Sequence, residues 1–183
     1  PVQDPVPFWY PGSPVMAGRH GMNLMWPGPI DQKSYDLYVE TWHAHKGDTA
    51  RMDGPDSEPR IGCTMLIAIA PTETEALDIA TRGMNGLVRR TTGVHRWDVE
   101  VLGEEAADAA LNPLRRILAH IDGAIRAGAG TPDQIAERFA AILEPGLTDY
   151  IVLQIPTGDM TLDEAKRTME LFCADVKPQL DTL

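Results

Sequence analysis

Pro7-Phe8-Trp9-Tyr10-Pro11-Gly12-Ser13-Pro14-Val15-Met16-Ala17-Gly18-Arg19-His20-Gly21-Met22-Asn23-Leu24-Met25-Trp26 (residues 7–26) reads as a strand, a tight turn, a short helix and a second strand. Two strands joined through a helix form the repeating unit of a parallel sheet. Ser13 before Pro14 marks the helix start, because the serine hydroxyl caps free amides and proline at the first helical position gives up no hydrogen bond it needed. Gly12 lets the backbone come close to a ligand, and the free N–H groups of a first helical turn attract an anion. The same spacing also fits an ordinary strand-to-helix turn, so both readings stand at this point.

Outward from this unit, the second strand ends at Pro27-Gly28-Pro29, a cluster that stops pairing. Tyr35, Tyr38, Trp42 and His45 then share one face of a helix over about residues 31–45, a stripe that any buried helix shows and that an apolar ligand would also suit. Residues 47–60 are polar and rich in turns, longer than the usual connection, and read as a lid or an insertion. Residues 61–70, Ile-Gly-Cys-Thr-Met-Leu-Ile-Ala-Ile-Ala, form the unbroken apolar run expected of a central parallel strand covered on both faces. Cys63 inside it reads as a small buried hydrophobe.

Thr72-x-x-Glu75 opens the next helix as a capping box, with Ala76, Ile79, Ala80 and Leu87 on its buried side. Residues 89–103 read as irregular, and Arg89, Arg90, His95 and Arg96 make a small basic group that suits either a solvated helix end or an anion. Leu114, Leu118, Ile121 and Ile125 stripe a further helix, closed by the break at Gly128-Ala129-Gly130. Thr131 caps the following helix toward Leu143, and Tyr150 to Ile155 is a fourth strand. Thr161 to Glu164 caps a last helix whose face is Leu162, Ala165, Met169, Phe172 and Val176, ending at Pro178.

Four apolar strands separated by helices call for an α/β fold with a parallel sheet and right-handed crossovers. A (β/α)8 barrel needs eight such strands in about 250 residues, so 183 residues supply about half of one. A small open doubly wound sheet is the other candidate, although the first strand lacks the Gly-x-Gly-x-x-Gly turn of dinucleotide folds. A net charge of −11 repels polyanions, which excludes nucleic acid as the expected partner. Two cysteines without metal-type spacing fit a reducing, cytoplasmic setting. No apolar run reaches membrane-spanning length, and neither a membrane span nor a signal peptide is expected. The chain opens without methionine and enters a strand almost at once, from which a removed upstream segment is expected.

Taken in order, these segments resemble the carboxyl-terminal half of the luciferase-like flavin-dependent monooxygenases and their deazaflavin-using relatives. Phe8 to Pro14 followed by Met16-Ala17-Gly18-Arg19-His20-Gly21 is similar to that family's fifth barrel strand, small-residue turn and Ala-Gly-rich helix. Gly130-Thr131-Pro132-Asp133-Gln134-Ile135-Ala136-Glu137-Arg138 resembles its Gly-Thr-Pro-Glu-x-Val-Ala-Glu-Arg segment. Gly158-Asp159-Met160 and Phe172-Cys173-Ala174-Asp175-Val176-Lys177-Pro178 resemble its ending. The resemblance covers nearly all of residues 1–183 as one domain and implies that residues 7–155 carry strands five to eight of a TIM-type barrel.

What the resemblance implies for function is a parent enzyme that uses reduced FMN and molecular oxygen to place one oxygen atom in a small organic substrate. A flavin reductase and a homo-oligomer of the full-length protein come with that expectation. Hydride transfer with a deazaflavin coenzyme is the alternative inside the family. A noncatalytic half-barrel module that pairs with another subunit is the alternative outside it. By the same resemblance Tyr10, Gly12 and Ser13 lie at the carboxyl end of a barrel strand and face the flavin near its phosphate. His45, near the start of the long loop, is a candidate general acid toward a substrate oxygen, and equally a surface or packing residue. His43 and His45 are two apart on a helix and point to different sides, so no metal is expected.

Overall fold

The structure, a computed structural model, describes residues 6–54, 56–103, 121–155 and 157–182, without the side chains of 88–99, 102, 121, 122 and 124. In chain order the described elements are β1 (Trp9–Pro11), α1 (Pro14–Arg19), β2 (Asn23–Pro27), α2 (Gln32–Ala44), β3 (Ile61–Leu66), β4 (Ala68–Ile69) and α3 (Glu73–Leu102). There follow α4 (Ile121–Gly128), β5 (Ala129–Gly130), α5 (Pro132–Leu143), β6 (Tyr150–Gln154), α6 (Leu162–Leu171), a π-helical turn (Phe172–Val176) and α7 (Lys177–Leu180). Two compact units divide the chain, one of Pro1–Met65 with Ala140–Leu153 and one of Leu66–Phe139 with Gln154–Leu183.

The larger sheet has the order β1-β2-β3-β6, and the β1–β2 and β2–β3 pairs are parallel, with Tyr10 opposite Leu24 and Leu24 opposite Ile61. This is the α/β, parallel-sheet class that the residue pattern predicts. In the first unit, α1 and α2 bring Ala17, Tyr38 and Trp42 onto Leu24 and Ile61, with Tyr10, Trp26 and Tyr35 packed around them. Tyr38 and Trp42 are 0% and 1% exposed, so the aromatic stripe of α2 is core. The Tyr38 hydroxyl donates to the carbonyls of Met22 and Arg60 at 3.1 and 3.3 Å, which satisfies its polar end where water is excluded. Burial drives its pKa well above the ordinary tyrosine range.

The second unit holds a separate two-stranded parallel sheet in which Ala68 faces Ala129. The apolar run 61–70 is therefore not one strand, because it changes partners after Leu66. A side chain on Gly128 would overlap the Leu66 carbonyl, and the absence of one lets Ala129-Gly130 come alongside β4. The small-residue stretch 128–130 accordingly ends one helix and forms a strand, where the residue pattern predicts only a break.

Residues 89–102 are helical rather than irregular, since α3 runs unbroken to Leu102. Its glycines cost about 1 kcal/mol each, but no proline interrupts the stretch. Buried along it are Ala76, Ile79 and Met84, whereas Leu87 is exposed. The side chains of the basic group Arg89, Arg90, His95 and Arg96 and the helix stripe at Leu114 and Leu118 lie outside the described residues.

At the end of the chain the capping box at Thr161 and Glu164 forms as expected. The buried face of α6 differs from the expected one: Ala165 and Thr168 are buried, while Leu162 and Met169 are 67% and 55% exposed. Thr168 turns inward because its hydroxyl accepts the Ile69 N–H at 3.2 Å. Pro178 does not end the helical segment either. The π-helical turn at Phe172–Val176 widens the coil just ahead of it, and Pro178 then sits in the first turn of α7, where a missing N–H costs nothing.

Candidate functional site

The Tyr10–Ser13 turn sits where β1 hands over to α1. Ser13 is the helix N-cap, its hydroxyl accepting the Met16 N–H at 3.4 Å with Pro14 in the first helical position. Pro14 has no N–H, and helix geometry leaves the Val15 N–H without an intrahelical acceptor. Gly12 has φ +146° and is exposed. A Cβ on it would stand 3.2 Å from Cε1 of the Tyr10 ring. Its bare backbone therefore leaves the approach over Tyr10 open, and a flavin phosphate fits a turn of this kind: an exposed glycine, a hydroxyl and an amide without an internal partner. Residue type and place, rather than net charge, make the fit.

Close packing fixes α1 behind this turn. Gly18 meets α2 so tightly that a Cβ would lie 2.8 Å from the Tyr38 carbonyl oxygen and 2.9 Å from the Trp42 nitrogen. From the other side Arg51 reaches in from the 47–60 loop. Its Nη1 donates to the Gly18 carbonyl at 3.1 Å and to the Trp42 carbonyl at 2.9 Å. Its Nε and Nη2 hold both carboxylate oxygens of Asp53 at 2.7 and 2.6 Å. The two side chains are 4% and 7% exposed, and the guanidinium lies 4.6 Å from the Trp42 ring centroid. Nothing in the sequence pattern singles out Arg51 or Asp53, since each is one more charge in a polar loop. Gly21, with φ +65°, is the one local signal, because a side chain there would overlap the Asp53 carboxylate.

The 47–60 loop is thus tied to helix ends, and it leads into the amino end of β3. There it walls a cleft of about 1090 Å³ lined by Phe8, Trp9, Asn23, Met25, Arg60 and Tyr150, with Met52 and Asp56 from the loop. Trp9 meets the Tyr150 ring edge-on at 5.4 Å, and Arg60 donates to the Tyr150 hydroxyl at 2.6 Å. Phe8, Trp9, Asn23, Arg60 and Tyr150 lie at or just before the amino ends of their strands, and Trp42 of α2 also reaches this cleft. Catalytic groups of parallel α/β folds gather at the opposite, carboxyl ends, so the size of this cleft does not make it the reaction site.

His45 is the C-cap of α2, and its Nδ1 pairs with Asp48 Oδ2 at 2.8 Å. The structure brings Tyr10, Gly12 and Ser13 together and leaves His45 apart from them, since α2 runs back from the carboxyl end of β2. Burial pushes the Cys63 thiol up to about 11, in keeping with an unreactive packing residue. Among the described residues no cluster of three or more His, Cys, Asp or Glu side chains could hold a metal. No described helix is long and apolar enough to cross a membrane.

Neither a family model nor a curated protein matches the sequence. Solved structures do. The monooxygenase RslO1 from Streptomyces bottropensis aligns with TM-score 0.55 and 22% identity over 95% of this chain and 48% of its own. Coenzyme F420-dependent tetrahydromethanopterin reductase from Methanopyrus kandleri aligns with TM-score 0.51 and 18% identity over 96% of this chain and 51% of its own. The oxygenating constituent of 3,6-diketocamphane monooxygenase from Pseudomonas putida, in complex with FMN, aligns with TM-score 0.50 and 16% identity over 93% of this chain and 47% of its own. This chain spans about half the length of these structures, and over that half its fold is a partial luciferase-like fold.

Proposed function

We propose that this chain is the flavin-phosphate-bearing part of a flavin-dependent oxidoreductase, with the phosphate against Tyr10, Gly12 and Ser13. The observation that carries the reading is the open turn at the carboxyl end of β1, where Gly12 clears the approach over Tyr10 and Ser13 caps the following helix. A bound reduced flavin supplies the electrons that reduce dioxygen in a monooxygenase. This chain's own residues do the holding: the turn amides and the Ser13 hydroxyl bind the phosphate, and the Tyr10 ring gives an apolar flank. The activity proposed is monooxygenation of a small organic substrate with reduced FMN and molecular oxygen, fed by a flavin reductase. Hydride transfer with a deazaflavin is the second reading, favoured by the likeness to an F420-dependent reductase. Since the chain matches about half of each neighbour, the activity proposed is that of a larger whole to which this chain contributes the phosphate turn.

Titration of this chain with FMN, riboflavin and a phosphate-bearing deazaflavin tests the reading. Tighter binding of the phosphorylated forms is the expected result, and equal or absent binding of all three would overturn it. Oxygen consumed per reduced cofactor in the assembled enzyme separates oxygenation from hydride transfer.

A further inference from the structure

The buried pair Arg51–Asp53 has no part in holding the phosphate, yet its guanidinium makes four hydrogen bonds to described residues of the first unit. An isolated helix of six residues is not stable in water, so the place of α1 is set by what it touches. One nitrogen of Arg51 bridges the Gly18 carbonyl, at the carboxyl end of α1, and the Trp42 carbonyl, at the carboxyl end of α2. Asp53 takes the other edge of the guanidinium in a bidentate grip, which fixes its plane as well as its charge. The Met52 N–H adds a bond to the His20 carbonyl at 2.9 Å, so the loop holds the end of α1 at two successive residues. Gly18 lies five residues from Ser13, roughly 7.5 Å along a helix, and α1 is short enough to carry a displacement of one end to the other.

We propose that Arg51, oriented by Asp53, is a positioning residue for the phosphate turn: it locks α1 onto α2 and thereby sets where Gly12 and Ser13 stand. This inference rests on the phosphate reading of that turn. The long polar loop then has a defined task, which is to deliver one guanidinium to two helix ends. Arg51 touches no ligand and acts only through α1.

The test uses this chain with Arg51→Met/Asp53→Asn, which removes both charges and leaves no unpaired buried carboxylate. Arg82→Met/Glu164→Gln, which removes an ion pair in the other unit, serves as the reference for a destabilisation that does not involve α1. FMN and riboflavin affinities are measured by fluorescence titration and referred to the folded fraction, with amide hydrogen exchange over residues 14–19 as an independent readout. The unmodified chain is expected to bind FMN about tenfold or more tighter than riboflavin, the scale of hydrogen bonds to a charged group. In the Arg51→Met/Asp53→Asn chain that ratio falls toward one and exchange over residues 14–19 accelerates, while the reference variant keeps both at the unmodified values. Should the double variant fail to fold, Asp53→Asn alone, which loosens the grip without removing the arginine, is expected to lower the ratio part way. An unchanged ratio in the folded variant overturns the positioning role and leaves the phosphate reading intact. A ratio of one in the unmodified chain, or binding of neither flavin, overturns the phosphate reading and the positioning role with it.

Discussion

Arg82 on α3 and Glu164 in the first turn of α6 form an ion pair of 2.6 Å, and the same carboxylate accepts the Thr161 N–H at 2.8 Å to complete the capping box. The Arg82 guanidinium, with the Thr161 amide behind it, holds the Glu164 carboxyl down at about 2 from an ordinary 4.5. A carboxyl depressed in the folded state stabilises the fold above its unfolded value and ceases to do so as the pH falls through its folded one. Stability is therefore expected to drop between about pH 4.5 and about pH 2. Glu164→Gln should flatten that part of the profile and cost on the order of 1 kcal/mol at neutral pH. Urea unfolding at a series of pH values measures both.

Thr168 ties α6 to β4 through its buried hydroxyl, so Thr168→Val leaves the Ile69 N–H without an acceptor. The expected cost is about 1–3 kcal/mol. Leu162→Ala and Met169→Ala, on the exposed side of the same helix, should stay within about 0.5 kcal/mol. Chemical denaturation of the three variants side by side checks the burial pattern that the structure gives to α6.

Gly18→Ala should be costly although alanine is the better helix former. Its Cβ would press on the Tyr38 carbonyl and the Trp42 nitrogen, and overpacking of this kind costs about 1–3 kcal/mol. The thermal midpoint should fall. A rise would mean that α1 is not seated against α2 as described.

Trp9, Met25 and Val152 line the open cleft beside the larger sheet, and a parallel sheet is ordinarily covered on both sides. Exposed apolar sheet faces promote association, so the isolated chain is expected to self-associate with rising concentration and to bind an apolar dye. Val152→Glu should reduce both effects without lowering helical content. Light scattering and dye fluorescence measure the outcome, and a monodisperse, dye-silent chain would contradict it.

The strand–turn–helix–strand unit at 7–26 was legible because Ser13-Pro14 and Gly12 are strong local signals that tertiary packing had no reason to override. The aromatic stripe of α2 was legible for its period, and its capping aspartate also behaves as local chemistry demands, Asp31 accepting the Ser34 N–H at 2.9 Å. What escaped depends on partners distant in sequence. An apolar run such as 61–70 carries no mark of where it changes sheets, and that point is set by Gly128 against Leu66. Thr168 is drawn inward by Ile69, 99 residues away, so hydrophobicity alone found Ala165 and Val176 but put Leu162 and Met169 on the buried face and missed Thr168. At the candidate site, the turn could be read from its own residues. The Arg51–Asp53 clamp could not, because a buried ion pair and a solvated one have the same sequence.

The proposed phosphate role of the Tyr10–Ser13 turn is tested most directly by calorimetric titration of FMN into the unmodified chain and into Gly12→Val. A β-branched residue at φ +146° is strained, and its first carbon already crowds the Tyr10 ring. FMN affinity per folded molecule is expected to fall by about tenfold or more, while riboflavin, which lacks the phosphate, shows a much smaller change. Equal FMN affinity in the two chains would contradict the account, leaving the turn as nothing more than the start of α1.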